Sequence, residues 1–181
     1  MRKLRFVALV TIALLASAAV VYAGNGNAVP GWHANSDKYT AMPVENPNTP
    51  GEWSDVLVRE STPDAVLAQH IAALNDCDWK GLMQQYPDTY QLRLPGGVVV
   101  TGREATAAVF AGFVKSPADG GLCGVTFSEE SRQVTGGTIA VNWVATSDLY
   151  EDYRGADAYI TDDGLMVQMV STFDGAELVL K

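Results

Sequence analysis

The sequence predicts an α+β domain in which helices pack on an antiparallel sheet. Helical spacing and short strands alternate in the first half of the chain, long alternating segments joined by tight turns fill the second half, and no β-α-β rhythm or internal repeat is present. The chain has 181 residues, of which 48% are apolar and 18% are charged. This composition is typical of an ordinary globular protein with one core.

The first helix is predicted from its start signal and its apolar face. Thr62 offers a capping hydroxyl, Pro63 suits the first helical position, and Asp64 adds an early acid. Spacings of three and four then place on one face Val66, Leu67, His70, Ile71 and Leu74.

Shorter elements complete the first half. Asp78 can cap a second helix, which Pro87 ends, and a Pro-Gly-Gly turn separates two strands. The expected elements are a helix over residues 79–86, strands over 90–94 and 98–100, and a third helix over 105–115.

Hairpin signals organise the second half as an antiparallel sheet. Thr135-Gly136-Gly137 and Asp162-Asp163-Gly164 each lie between alternating segments, where such turn residues favour a hairpin. The predicted strands cover residues 125–134, 138–150, 156–161 and 165–173.

The N-terminus is typical of a secretory signal peptide. A basic start precedes an uncharged apolar run over residues 6–21, and Val21 and Ala23 place small residues at the −3 and −1 positions of a cleavage site. The alternative is a retained membrane anchor, but the run is shorter than the roughly 20 residues that span a bilayer. We expect cleavage after Ala23, and hence an exported protein, periplasmic or secreted.

The chain therefore divides into three segments: a signal peptide over residues 1–23, an irregular polar extension rich in Gly, Asn, Pro and Ser over 24–60, and the domain over 61–181. Cleavage removes three basic residues and no acids, which changes the formal net charge from −9 to −12. Such a charge disfavours binding to nucleic acid and, once the signal is removed, to anionic membranes. A homodimer is compatible with the sequence.

Cysteine and histidine content limits the chemistry further. Cys77 and Cys123 can form a disulfide in an oxidising compartment or remain two buried thiols. The two histidines show no metal-binding spacing, and no phosphate- or dinucleotide-binding motif is present. We therefore expect no metal site and no cofactor.

Local motifs resemble a known superfamily. Ala72-Ala73-Leu74-Asn75, then Asp78-x-x-Gly81-Leu82, and later Gly102-Arg103-Glu104-Ala105 look like the first half of SnoaL-like proteins and Δ5-3-ketosteroid isomerases, members of the NTF2-like superfamily. The resemblance covers about residues 60–175. It implies an NTF2-like cone, with three N-terminal helices packed on a curved antiparallel sheet around an apolar cavity.

The resemblance also suggests site residues. The base position of the isomerases falls on Leu94, which cannot accept a proton; their tyrosine donor falls on His70 and their acid donor on Asp157. SnoaL-like cyclases use a pocket aspartate for proton transfer, which implies Asp157 as general base with His70 as its partner. The alternatives are a core histidine at His70, and an Asp157 that serves as its acceptor or lies in solvent.

The same resemblance and the strand alternation predict the lining of the pocket, with ordinary core packing as the alternative. The predicted lining is Tyr90, Leu92, Leu94, Phe110, Phe113, Tyr159, Val167, Met169, Ser171 and Phe173.

Two functions are compatible with these features. The first is a proton-transfer enzyme, of isomerase or cyclase type, acting on a small lipophilic carbonyl compound. The alternative is a non-catalytic domain that binds a lipophilic molecule or another protein. An enzyme should place Asp157 and His70 within hydrogen-bond reach, open to the pocket.

Overall fold

The computed structural model describes residues 38–181. The predicted signal peptide, its cleavage site and the first part of the extension lie outside this range. The helices are α1 (Pro63–Asn75), α2 (Trp79–Met83) and α3 (Arg103–Phe113). The strands are β1 (Val44–Glu45), β2 (Trp53–Ser54), β3 (Gln91–Leu94), β4 (Val98–Thr101), β5 (Thr126–Thr135), β6 (Thr138–Thr146), β7 (Tyr153–Asp162) and β8 (Leu165–Ser171).

Helix α1 begins as its sequence predicts. The Thr62 hydroxyl accepts a hydrogen bond from the Ala65 amide at 3.1 Å, and Pro63 occupies the first turn. The helix buries Val66, Leu67, His70 and Ala73 against the sheet. Within residues 38–181, no helix combines the length and apolarity needed to cross a membrane.

A six-stranded sheet forms the other layer, in the order β4-β3-β8-β7-β6-β5. Every neighbouring pair is antiparallel except β3 and β8, which run parallel. The exception arises because α3 carries the chain from β4 to the far edge of the sheet, and the later hairpins return it strand by strand to β3. The structure is thus an α+β cone of three helices on a curved, largely antiparallel sheet.

Both predicted hairpins are confirmed. Thr135 pairs with Thr138, and Asp162 pairs with Leu165. At the second turn Asp163 and Gly164 have φ values of 51° and 74°, as a tight two-residue hairpin turn requires. The long strand predicted over residues 138–150 ends earlier, at Thr146, because the chain turns where the Tyr150 amide donates to the Ser147 hydroxyl.

A disulfide joins Cys77, just after α1, to Cys123, in the loop that leads to β5. Of the two alternatives left by the sequence, the structure therefore contains the disulfide, with the two Cα atoms 5.6 Å apart. Asn75 ties the same regions a second time, since its side-chain amide exchanges hydrogen bonds with the backbone of Phe127. The end of α1 is thereby fixed to the start of β5.

Residues 38–60 pack on the domain. β1 and β2 form a small antiparallel sheet beside α3. The extension also covers the β7–β8 turn, where Tyr39 donates to Asp162 at 2.6 Å and Lys38 pairs with the same carboxylate. At the same turn Arg59 pairs with Asp163 at 3.1 Å.

The buried guanidinium of Arg103 connects the extension to the helices. Its Nε donates to the carbonyl of Met42 and its Nη2 to the carbonyl and hydroxyl of Ser54, at 2.8–3.0 Å. Its Nη1 donates to the carbonyls of Met83 and Tyr86. Helix α2 ends at Met83 and not at residue 86 because the next three carbonyls bond outside the helix: those of Gln84 and Gln85 accept from the amides of Val58 and Met166, and that of Tyr86 accepts from Arg103. Burial lowers the pKa of Arg103, while Asp88 and Asp55 oppose that effect.

Replacing Arg103 by Met should destabilise the protein by about 3 kcal/mol or more, because five acceptors, four of them in buried hydrogen bonds, lose their donor. Urea unfolding measures the difference. Arg154→Met is the matched control: the Arg154 side chain is 62% exposed and pairs with Glu130 at the surface, so its loss should change stability by less than about 1 kcal/mol. Equal losses in the two variants would contradict the role given to Arg103.

Candidate functional site

A cavity lies inside the cone, between α1, α3 and the inner face of the sheet. Its volume is about 50 Å³. Eight of the predicted lining residues line it: Leu92, Leu94, Phe110, Phe113, Tyr159, Met169, Ser171 and Phe173. Asp157 lines it as well, together with residues that the sequence did not place there: Ile71, Leu74, Leu122, Phe127, Ser128, Val141 and Trp143.

Aromatic side chains close the outer end of the cavity. The ring of Phe173 contacts the rings of Phe113, Phe127, Trp143 and Tyr153, with centroid distances of 5.7–6.2 Å. Phe113, Phe127 and Phe173 are only half-buried, which marks this side as the mouth. An engineered cavity of about 150 Å³ binds benzene in another protein, so a ligand of ring size requires these rings to move.

Asp157 provides the carboxyl group of the cavity lining. It lies on β7 and is 7% exposed. Tyr159 donates its hydroxyl to Oδ2 at 3.0 Å, and the Thr172 amide donates to Oδ1 at 3.1 Å. Burial raises the pKa of Asp157, while nearby donor groups of Ser171, Trp143, Thr172 and Tyr159 partly offset the rise. The result is a carboxylate held by donors in apolar surroundings, a setting in which a carboxylate can act as a base near neutral pH.

His70 does not pair with Asp157, which corrects the predicted dyad. The arrangement expected of an enzyme, with the two side chains in hydrogen-bond reach, is therefore absent, and a catalytic role would rest on Asp157 without His70. Its ring is completely buried and does not line the cavity. Nδ1 lies 2.9 Å from the hydroxyl of Tyr86, and Nε2 has no hydrogen-bond partner among residues 38–181. Burial lowers the pKa of His70 to about 3, so the imidazole is neutral at pH 7 and provides no positive charge for Asp157.

Tyr159 contacts both His70 and Asp157. Its ring packs against the His70 ring at a centroid distance of 5.4 Å, while its hydroxyl donates to Asp157. Burial raises the pKa of Tyr159 well above its ordinary value, with the charge of Asp157 adding to the effect. Tyr159 therefore remains a hydrogen-bond donor, and His70 supports its ring from behind.

Comparison with known proteins gives matches by structure only: no protein-family model matches the chain, and no curated protein matches its sequence. A Δ5-3-ketosteroid isomerase from Mycobacterium sp. superposes with a TM-score of 0.52 and 17% identity, covering 66% of this chain and 99% of that one. An NTF2-like protein of unknown function from Cytophaga hutchinsonii has a TM-score of 0.51 and 12% identity, covering 64% and 92%.

A third structure, an uncharacterized cystatin-fold protein from Novosphingobium aromaticivorans, has a TM-score of 0.53 and 16% identity, covering 63% of this chain and all of that one. The fold is NTF2-like. At these identities the comparisons establish the fold and leave the activity to the residues of the site.

Leu94, the position on which the resemblance places the isomerase base, is apolar. Leu94 lines the cavity and is half-buried. The carboxylate available to a ligand is therefore that of Asp157, on the strand β7. Among residues 38–181, no group of three or more His, Cys, Asp or Glu side chains is arranged to hold a metal ion.

Two predicted lining residues do not reach the cavity. A bulge at Val167 separates the pairs Ile160–Gln168 and Thr161–Met166, so the alternation that was expected to place Val167 inward is broken there. Tyr90 precedes β3 and so lies outside the strand alternation. Its fully buried ring stacks on Tyr86, at a centroid distance of 4.2 Å.

Trp143 is the main residue that the sequence left unassigned. The alternation of β6 placed Val141 and Trp143 on one face but gave no sign of which face lines the cavity. The structure places that face inward, with both residues in the lining. The register with β7, in which Val141 pairs with Asp157, is a long-range property that the sequence of one strand does not carry.

His70 should make the protein sensitive to acid. Its pKa is about 3 in the folded state and about 6.5 in the unfolded chain. Below pH 6.5 only the unfolded chain takes up this proton, so stability falls by about 1.4 kcal/mol per pH unit as the pH is lowered toward 3. Urea unfolding at several pH values should show a shallower acid loss in His70→Gln than in the wild type. Parallel curves would show that the ring is protonated while folded.

Proposed function

We propose that this domain catalyses proton transfer at a carbon next to a carbonyl group in a small lipophilic compound, with Asp157 as the general base. One observation carries the proposal: a single buried carboxylate with a raised pKa faces a largely apolar cavity. Desolvation strengthens a carboxylate as a base, and the apolar walls suit a substrate without charges.

The hydrogen bonds around Asp157 suit this role. In its ionised form the carboxylate accepts from Tyr159 and from the Thr172 amide, which hold it in one orientation. Ser171 and Trp143 also lie close enough to lower its pKa, so that ionisation inside the cavity remains accessible near neutral pH. The Asp157 carboxylate would remove the α-proton, leaving an enolate, and then return the proton to carbon.

The fold, the disulfide and the size of the cavity also agree with the proposal. The isomerase from Mycobacterium sp. shares the fold, and the proposed base Asp157 lies on β7. The Cys77–Cys123 disulfide supports the expectation of export, because disulfides persist in oxidising compartments. The small cavity favours compact substrates, up to a single ring, over rigid polycyclic ones.

Asp157→Asn should reduce turnover by about 10²- to 10⁴-fold, because the amide keeps the shape of the carboxylate but accepts no proton at neutral pH. The assay is exchange of α-protons in D₂O, followed by proton NMR, for acetone, cyclohexanone and cyclohex-3-enone. The last compound also reports isomerisation to the conjugated ketone. Asp148→Asn, an exposed aspartate in the turn after β6 and outside the cavity lining, is the control and should retain the wild-type rate.

Circular dichroism of both variants separates a lost base from a lost fold. Exchange that persists in a folded Asp157→Asn variant would contradict the proposal. Binding of the ketones by the wild type without any exchange would instead support the non-catalytic alternative, a domain that binds lipophilic ligands.

A further inference from the structure

The indole nitrogen of Trp143 is a buried donor without an acceptor. Trp143 is 4% exposed and lines the cavity. Its Nε1 makes no hydrogen bond with any residue in the described part of the chain. The same N–H lies near enough to Asp157 to lower the pKa of that carboxyl, which places it beside the one carboxylate of the cavity lining.

A second buried tryptophan, Trp79, provides a comparison, because its indole N–H has an acceptor within the protein. Trp79 is 1% exposed, and its Nε1 donates to the carbonyl of Ala107 at 3.0 Å. A buried N–H without a partner costs about 1–3 kcal/mol, so such groups are rare unless a ligand or water completes them. The two tryptophans therefore differ in whether the donor is already used.

The Trp143 ring is held firmly in place. It packs against Phe127 and Tyr153, with centroid distances of 5.6 and 5.7 Å. On the neighbouring strand Gly155 leaves room for it: a Cβ at that position would lie 2.3 Å from Cζ2 of the indole. A larger residue at 155 would displace the ring, so the orientation of the N–H is set by the fold before any ligand enters.

We propose that the Trp143 N–H binds the carbonyl oxygen of the substrate and stabilises the negative charge that develops there, while Asp157 takes the proton from the adjacent carbon. The inference rests on the proposed function for its chemistry. The C–H electron pair moves into a new C=C bond, the carbonyl π electrons move to the oxygen, and the proton forms an O–H bond on Asp157. Reprotonation at carbon reverses these changes, so no co-reactant is needed.

This arrangement defines the ligand class. The polar end of the ligand must carry an acceptor oxygen one carbon away from an acidic C–H, and the rest must be apolar to match the Phe113, Phe127 and Phe173 walls. A preorganised donor in a site that excludes water is worth about 10²–10³ in rate in other enzymes. Trp143 would thus be a catalytic residue of this site.

The direct test is binding, measured on the indole N–H itself. Protein labelled with ¹⁵N at tryptophan gives one indole signal for each of its four tryptophans, and Trp143→Phe identifies the signal of Trp143 by its loss. Added cyclohexanone should move this signal downfield, as formation of a hydrogen bond does, and leave that of Trp79 in place. Methylenecyclohexane, which has the same shape without the oxygen, is the matched control ligand and should not produce the downfield shift.

The kinetic test uses the same variant. Trp143→Phe should lower the rate of α-proton exchange by about 10²-fold, while its circular dichroism stays that of the wild type. A Trp143 signal that does not respond to cyclohexanone, or responds equally to the hydrocarbon, would overturn the inference even if exchange occurs. A downfield shift without any exchange would uphold the oxygen-binding role of Trp143 and refute the proposed proton transfer.

Discussion

The buried guanidinium of Arg103 is the interaction on which the rest of this structure depends. It binds carbonyls of the extension on one side and those of the α2 turn on the other, and all but the bond to Met42 are buried. One of these acceptors belongs to Tyr86, whose hydroxyl lies 2.9 Å from Nδ1 of His70. A continuous set of contacts then leads from His70 through the Tyr159 ring to the carboxylate of Asp157.

The two buried titratable groups, Asp157 and His70, change the stability of the protein with pH in opposite directions. Burial raises the pKa of Asp157 above its ordinary value, so the folded protein binds the proton more tightly than the unfolded chain does. Stability therefore falls as the pH rises from the ordinary pKa through the folded one, and the ionised site is a destabilising feature at neutral pH. His70 behaves differently, since its charge is excluded from the folded state and the folded protein is favoured at higher pH.

Local chemistry made much of the fold predictable. Thr62-Pro63 begins α1, and Asp163-Gly164 forms the turn between β7 and β8. Both could be predicted because the backbone preferences of these residues act over only a few positions. The eight lining residues that were correctly predicted follow from strand and helix alternation combined with the family resemblance. Export and the signal peptide remain predictions, since they concern residues outside the described range. Long-range geometry accounts for the rest. The parallel pairing of β3 with β8 joins residues as distant in the chain as Gln91 and Gln168, and the bulge at Val167 exists only in the register with β7. The partner of His70 proved to be Tyr86, from a turn whose position depends on the distant Arg103.

Asp157 acts in this site as a buried proton acceptor whose affinity for protons is raised by the apolar cavity. The most direct measurement is a pH titration of the Asp157 carboxyl carbon by NMR in ¹³C-aspartate-labelled protein, with the signal assigned by its absence in Asp157→Asn. We expect a midpoint above the ordinary aspartate pKa of about 3.9. A midpoint at or below that value would show that the hydrogen bonds outweigh burial, and would contradict the role of Asp157 as a base.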